Sequence, residues 1–436
     1  MKKYRALVPV VLIVLMLASW YLLVNNSMET KKTYESYLKE AREQAELGIT
    51  KFAIQNYNLA LEINNSPEIY EEVAQYYKSQ NKQRDYVSWC ENFFDVHPTS
   101  PKAYDCILDA YLLNKDYEAC FDILDIAKKR NISSEFITKI NEDLMYVFDI
   151  DFDRYDDVTV FSNNYCAVKV EDKWGFVTRL GEQRINCVYD SVGAFTSSEL
   201  ASVVNASGET YFIDKTGSKV KASKETYKSF GLLVDGKIPT EQTDGKYTYL
   251  NSELMPMFGE YDYASTYNGG IAAVKNGNNW SLIDENGKNI TEVEYVDIKL
   301  DEKQIAFRNE RAFVSKNNGE YIMVDTSGKQ VGALVFEDAR VFNGTYPTAV
   351  KIDGKWCFVD ADGKLISKNK YDDARAFSNG LAAVCIGEKW GFVDLNEKLV
   401  IEANYLDAKD FNDKGSCFVK INNDWQLLKL YRLNRG

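Results

Sequence analysis

At 436 residues, 45% hydrophobic and 27% charged, the chain can bury substantial cores and has the length of two or three domains, which excludes a disordered protein. Its formal net charge of −13 excludes the basic face that phosphate backbones demand, so no nucleic acid is expected among its partners. Eight cysteines, at 90, 106, 120, 166, 187, 357, 385 and 417, form no Cys-x-x-Cys pair; this excludes a close-ligand structural zinc site and reads as buried free thiols.

Met1-Lys2-Lys3-Tyr4-Arg5 is basic, and Ala6 to Val24 then runs nineteen residues without a charge, long enough to cross a hydrocarbon core as a helix. Ala18-Ser19 is followed by Trp20-Tyr21-Leu22-Leu23 rather than by a small-x-small cleavage site. An uncleaved signal anchor is therefore expected in preference to a signal peptide. The basic residues ahead of the span predict 1–5 as a cytoplasmic tail, 6–24 as a single-pass transmembrane helix, 25–32 as a linker, and everything beyond as extracytoplasmic.

Residues 33–148 read as helical repeats. Tyr70, Val73, Ala74 and Tyr77 occupy one helix face, and thirty-four residues on Tyr104, Ile107, Leu108 and Tyr111 take the same places. The paired second helices agree, with Tyr86, Cys90 and Phe93 answered by Cys120, Leu124 and Ala127; an earlier copy carries Ala41, Ala53, Tyr57 and Ala60, and a last helix over 133–148 caps the stack. This 34-residue spacing resembles the tetratricopeptide family, though the family's usual Trp and Gly are largely absent. The resemblance implies an α-solenoid whose concave groove takes a protein or peptide partner.

At Asp149-Ile150-Asp151-Phe152-Asp153 the period changes from 3.6 to 2, and residues 149–436 read as an all-β repeat domain. Its best copy, Tyr371 to Asn404, contains Tyr-Asp-Asp-Ala-x-x-Phe, a Ser-Asn-Gly turn, Leu381 to Val384, and Lys389-Trp390-Gly391-Phe392-Val393-Asp394. The tryptophan place recurs at Trp174, Thr210, Tyr247, Trp280, Tyr321, Trp356, Trp390 and Trp425, at spacings of 36, 37, 33, 41, 35, 34 and 35 residues. A leading aromatic repeats in step at Tyr155, Tyr189, Tyr227, Tyr261, Tyr295, Phe336, Tyr371 and Tyr405. Two markers with one period define eight units. The runs Asp172-Lys173-Trp174-Gly175-Phe176-Val177, Gly354-Lys355-Trp356-Cys357-Phe358-Val359-Asp360 and Lys389 to Asp394 resemble the WG-repeat family, also called KWG. That resemblance covers about 280 residues and implies a β-repeat domain found mainly in bacterial proteins, with no general catalytic activity.

Three or four short strands per unit fit the blades of a β-propeller or, as the alternative, the rungs of an open β-solenoid. Closure is favoured because a strand-like Ile150 to Asp153 precedes the first unit while the last unit runs out soon after Trp425-Gln-Leu-Leu428. Cys166 and Cys417 share one unit position in the first and last copies, neighbours only in a ring. The turns Asp284 to Gly287, Asp325 to Gly328 and Asp360 to Gly363 read as hairpins, with Asp bonding its own backbone and Gly taking φ > 0. The glycine after Trp is expected to admit close packing against backbone.

Catalytic chemistry finds little footing. His97 is the one histidine, at a helix end before Pro98, so histidine-based metal clusters are excluded. No phosphate-binding glycine loop is present. The carboxylate pairs Asp156-Asp157 and Asp372-Asp373 recur at the Tyr-Asp-Asp place of the units, as structural turn residues would. Asp360-Ala-Asp362-Gly363 lacks the downstream glutamate of a calcium loop. No catalytic, cofactor or metal residues are assigned, and Trp174, Trp280, Trp356, Trp390, Gly391 and Trp425 stand as a structural repeat signature. The sequence thus describes an α+β multidomain protein that is not an enzyme: a membrane-anchored, extracytoplasmic interaction scaffold. The alternatives are a module binding cell-envelope glycan and, further off, a hydrolase using the carboxylates. Function is sought where units differ: the extended loop between Tyr295 and Tyr321, the eroded third unit, and the helical groove.

Overall fold

A computed structural model describes residues 7–317 and 319–432 and divides the chain into two units, Met1–Met145 and Tyr146–Gly436. The first holds seven helices among the described residues: α1 (Leu7–Glu46), α2 (Thr50–Ile63), α3 (Pro67–Ser79), α4 (Gln83–Val96), α5 (Pro101–Leu113), α6 (Tyr117–Arg130) and α7 (Glu135–Asp143). The periodicity is physical. α3 and α5 each have 13 residues and each begin on a proline after a serine, where a missing N–H costs nothing. α2, α4 and α6 each have 14 residues. Tyr70, Val73 and Ala74 are buried, as are Tyr104, Ile107 and Leu108, and the paired Tyr86, Cys90, Phe93 and Cys120, Leu124, Ala127.

Four expectations for this unit are corrected. Among the described residues no helix is long and apolar enough to cross a membrane, which overturns the transmembrane span at 6–24 and the single-pass location built on it. The described part of that stretch, 7–24, is the leading part of a 40-residue helix that runs on through charged residues to Leu38 and Ala41, buried in the helical core. Residues 25–32, expected as a linker, lie inside α1; the expected tail 1–5 and Ala6 lie outside the described residues. The capping helix is shorter than 133–148, because Phe148 has left it to begin a strand. Finally, Cys90 on α4 is bonded to Cys106 on α5, with Cα atoms 5.6 Å apart; the other six cysteines are free, Cys166 and Cys417 included.

The second unit is an eight-bladed β-propeller. Blade 1 spans Asp157–Tyr189, blade 2 Ser191–Ala222, blade 3 Ser229–Tyr261, blade 4 Tyr263–Ile283, blade 5 Asp297–Val324, blade 6 Asp338–Val359, blade 7 Asp373–Tyr405 and blade 8 Asp407–Leu430. Each is an antiparallel meander opening on a two-residue strand. Ring closure settles the choice against an open solenoid. Phe148–Ile150 pairs antiparallel with the last strand, Phe148 opposite Leu430 and Ile150 opposite Leu428, and becomes the fourth strand of blade 8. A ring so latched leaves no terminal edge.

The two sequence markers keep step because they are partners. The leading aromatic of each sequence unit bridges the tryptophan place of the unit before it: Tyr189 with Trp174, Tyr261 with Tyr247, Tyr405 with Trp390, Tyr295 with Trp280, Phe336 with Tyr321, Tyr371 with Trp356 and, across the closure, Tyr155 with Trp425. Thr210 instead bonds the carbonyl of Tyr227 through its hydroxyl at 3.3 Å. The eroded third unit is therefore in register. Trp390 packs in the core between blades 7 and 8 with Phe392, Ile401 and Cys417. The glycine after Trp is needed where the fourth strand bulges inward: a Cβ at Gly391 would lie 2.6 Å from the Ile401 carbonyl oxygen, and one at Gly175 2.4 Å from that of Ile185. The hairpin turns are as expected, Asp360 Oδ1 accepting from the Asp362 and Lys364 amides at 3.0 and 2.8 Å, with Gly363 at φ 75°.

Candidate functional site

The first strand of each blade leads into the central channel, and the residue that follows it divides the ring in two. Blades 1 to 4 carry Thr159, Gly193, Gly231 and Ser265; blades 5 to 8 carry Lys299, Arg340, Arg375 and Lys409. Each cation lies over the aromatic ring at the tryptophan place of its own blade. Lys299 is 4.2 Å from the Tyr321 ring centre, Arg340 4.6 Å from Trp356, Arg375 5.5 Å from Trp390 and Lys409 5.3 Å from Trp425, within cation–π range. Three of them also reach the first-strand aspartate of the following blade: Lys299 to Asp338 at 2.8 Å, Arg340 to Asp373 at 3.1 Å and Arg375 to Asp407 at 3.1 Å.

Lys409, next to the closure, takes Glu302 instead, at 2.8 Å, and Arg375 reaches the same oxygen at 3.5 Å. Glu302 sits on the extended loop of blade 5. From cation to core aromatic blade 6 needs two steps, Arg340 to Phe342, whereas blade 5 needs eight, Lys299 to Phe307; these six extra residues account for the 41-residue spacing. They form a finger held by its own aspartate. Asp301 Oδ1 accepts from the Lys303 and Ile305 amides at 2.8 and 2.9 Å, and its other oxygen accepts from Arg308 Nε at 2.6 Å. The Thr266 amide of blade 4 donates to the Gln304 carbonyl at 2.8 Å, anchoring the finger to the opposite half.

Two cavities flank the finger and share Val160, Glu302 and Lys303. One, of about 250 Å³, lies over the small residues Gly193 and Gly231. The other, of about 400 Å³, opens among Asn343, Asn379, Asp410 and Asn412. Burial pushes the Asp410 carboxyl above the usual carboxylate range against the pull of Arg375, and burial, with Arg308 beside it, lowers Lys303.

The sequence signature residues are not brought together here. Trp280, Trp356, Trp390 and Trp425 are buried and Trp174 half-buried, one to a blade. The carboxylate pairs are structural: Asp372 caps the Gly387 amide at 2.8 Å and pairs with Lys355, while Asp373 caps Ala374 and holds Arg340. His97 caps α4 and lies edge-on to Tyr70 and Phe93. The extended loop where function is sought is the finger; the channel cations were missed, although the change from Thr, Gly, Gly, Ser to Lys, Arg, Arg, Lys at one unit position was there to be seen. Among the described residues no cluster of three metal-ligating side chains occurs.

Comparison with known proteins adds the following. The WG containing repeat model matches residues 150–174, 174–206, 259–280, 358–390 and 390–425. No curated protein matches the chain. Solved structures similar to it include BamB from Moraxella catarrhalis, at 9% identity and TM-score 0.43 over 65% of this chain and 98% of that one. Another is virginiamycin B lyase from Staphylococcus aureus, at 12% identity and TM-score 0.34 over 65% and 99%.

Proposed function

Starting from a chain that belongs to the WG-containing repeat family through its β unit, we propose that it is a non-catalytic interaction scaffold. The helical unit, read as tetratricopeptide-like, docks a protein or peptide, and the propeller is a rigid second platform. The observation that carries this reading is the engagement of the recurring carboxylates, which cap backbone amides and pair with cations of the neighbouring blade; a hydrolase built on them would need a pair left free for substrate. We assign the docking groove to the surface between α4 and the end of α5, and what supports this is the depression that Arg84, Val87, Glu91 and Asn114 line there. Glycan stacking on the WG tryptophans gains no support from rings buried between blades.

Panning a peptide display library against the full chain tests the scaffold. Enriched peptides should lose about tenfold or more in affinity on Arg84→Glu or Val87→Asp. An absence of enrichment, or peptides indifferent to both substitutions, would remove the groove from the account.

A further inference from the structure

The larger channel cavity, about 400 Å³, lies within the size range of small-molecule sites. Three buried atoms on its wall, Asn379 Nδ2, Asn412 Nδ2 and Asp410 Oδ1, have no hydrogen-bond partner among the described residues, and neither has Arg375 Nε. Buried polar groups are satisfied as a rule, so four orphans in one place ask for an explanation. They are not loose ends of a poorly built loop. Asn412 Oδ1 accepts from the Lys414 and Ser416 amides, each at 2.9 Å, which fixes its amide nitrogen. Asp410 Oδ2 accepts from Asn343 Nδ2 at 3.3 Å, leaving Oδ1 as the unused acceptor.

The mixture of groups selects the ligand. An anion offered to the two amides would stand beside Asp410 and Glu302; a cation offered to Asp410 would stand beside Arg375 and Lys303. Either would meet like charge beside these buried atoms, where repulsion is costly. Vicinal hydroxyls accept from an amide at one atom and donate to a carboxylate at the next, without net charge. Tyr346, half-buried, lines the same wall and adds apolar surface to it.

We propose that this cavity binds a neutral, hydroxyl-rich small molecule of the saccharide or polyol class, with Asn379 and Asn412 donating and Asp410 accepting. Its position beside the finger is what only this part of the ring supplies, since the finger occurs in blade 5 alone. The proposal is independent of the docking groove, and each can fail without the other. The elevated affinity of Asp410 for its proton, caused first by burial, agrees with a neutral occupant.

The test is saturation-transfer NMR on the full chain with a panel of monosaccharides, disaccharides and polyols, and with inorganic phosphate and acetate alongside. At least one neutral compound should bind. N379D and N412D, which keep an oxygen at the Oδ1 position and replace the donor, should each weaken it about tenfold or more with unchanged unfolding curves. If either variant fails to fold, D410N supplies the same reading from the acceptor side. The proposal is overturned if no panel member binds, if binding survives all the folded variants, or if only phosphate or acetate binds.

Discussion

The two halves of the propeller ring share one backbone plan and differ in one side chain per blade. In blades 5 to 8 a cation lies over the aromatic at the tryptophan place and, in three of four, clamps the next blade's aspartate. In blades 1 to 4 the same place holds Thr, Gly, Gly and Ser, and at the two glycines neighbouring side chains stand close: a Cβ at Gly231 would lie 2.6 Å from Pro239 Cγ, and one at Gly193 2.4 Å from Ser202 Oγ. One half is thus joined at the channel by charge and the other by close approach. A repeat can keep its period while changing what holds its units together.

The largest effect is expected from breaking the charged half. Arg375→Ala would leave Asp407, Asp410 and Glu302 facing one another without their shared cation. Loss of one member of a buried pair costs about 3–5 kcal/mol; with Arg375 23% and both paired carboxylates about a third exposed, about 2–3 kcal/mol is the expected loss in denaturant unfolding. Next comes the small half. Gly231→Ala forces Pro239 to move and should cost about 1–2 kcal/mol, the range of modest overpacking. If Gly231→Ala proved neutral while Arg375→Ala was not, close approach would not be what defines that half.

Much of this fold could be read from the sequence, for a physical reason. The leading aromatic and the tryptophan place are antiparallel partners, so selection on one bridge leaves two marks at one period, and Tyr247 could be placed in the eroded unit by its partner Tyr261 alone. A closing strand was expected because a strand-like segment stood before the first unit, though at Ile150 to Asp153, where the structure has it at Phe148–Ile150. What could not be read was contact across the channel. Glu302 meets Lys409 from 107 positions away, and no periodic pattern announces it. The apolar stretch at 6–24 misled for the opposite reason: local composition described a membrane span, while the helix that holds its described part, 7–24, continues to Leu38 and Ala41. Cys90 and Cys106 lie on separate helices, and scattered spacing gave no sign that α4 and α5 bring them together.

Smaller, pH-dependent effects separate channel from rim. At Asp410 burial raises the folded-state pKa, so its charge is a cost, complete above that pKa and absent below the unfolded value of about 3.9. The stability of D410N relative to the natural protein should therefore rise as pH increases from about 4 towards neutrality. Asp372 has the opposite sign. Its hydrogen bond from Lys355 lowers its pKa, so its contribution is present above the unfolded value and lost as pH falls through the folded one, and D372N should lose ground as pH rises. Unfolding curves of D410N from about pH 4 to neutrality and of D372N below about pH 4 check the contrast; slopes of the same sign would erase it.

The central claim is that the blade 5 finger crosses the channel and ties the charged half to the closure. A double-mutant cycle between Glu302→Gln and Lys409→Met measures it most directly, by denaturant unfolding of the full chain. Residues in contact couple by about 0.5–3 kcal/mol, whereas distant ones add to within about 0.3–0.5 kcal/mol. The structure predicts a coupling of about 1 kcal/mol between side chains 2.8 Å apart, and strict additivity of the two substitutions would contradict it.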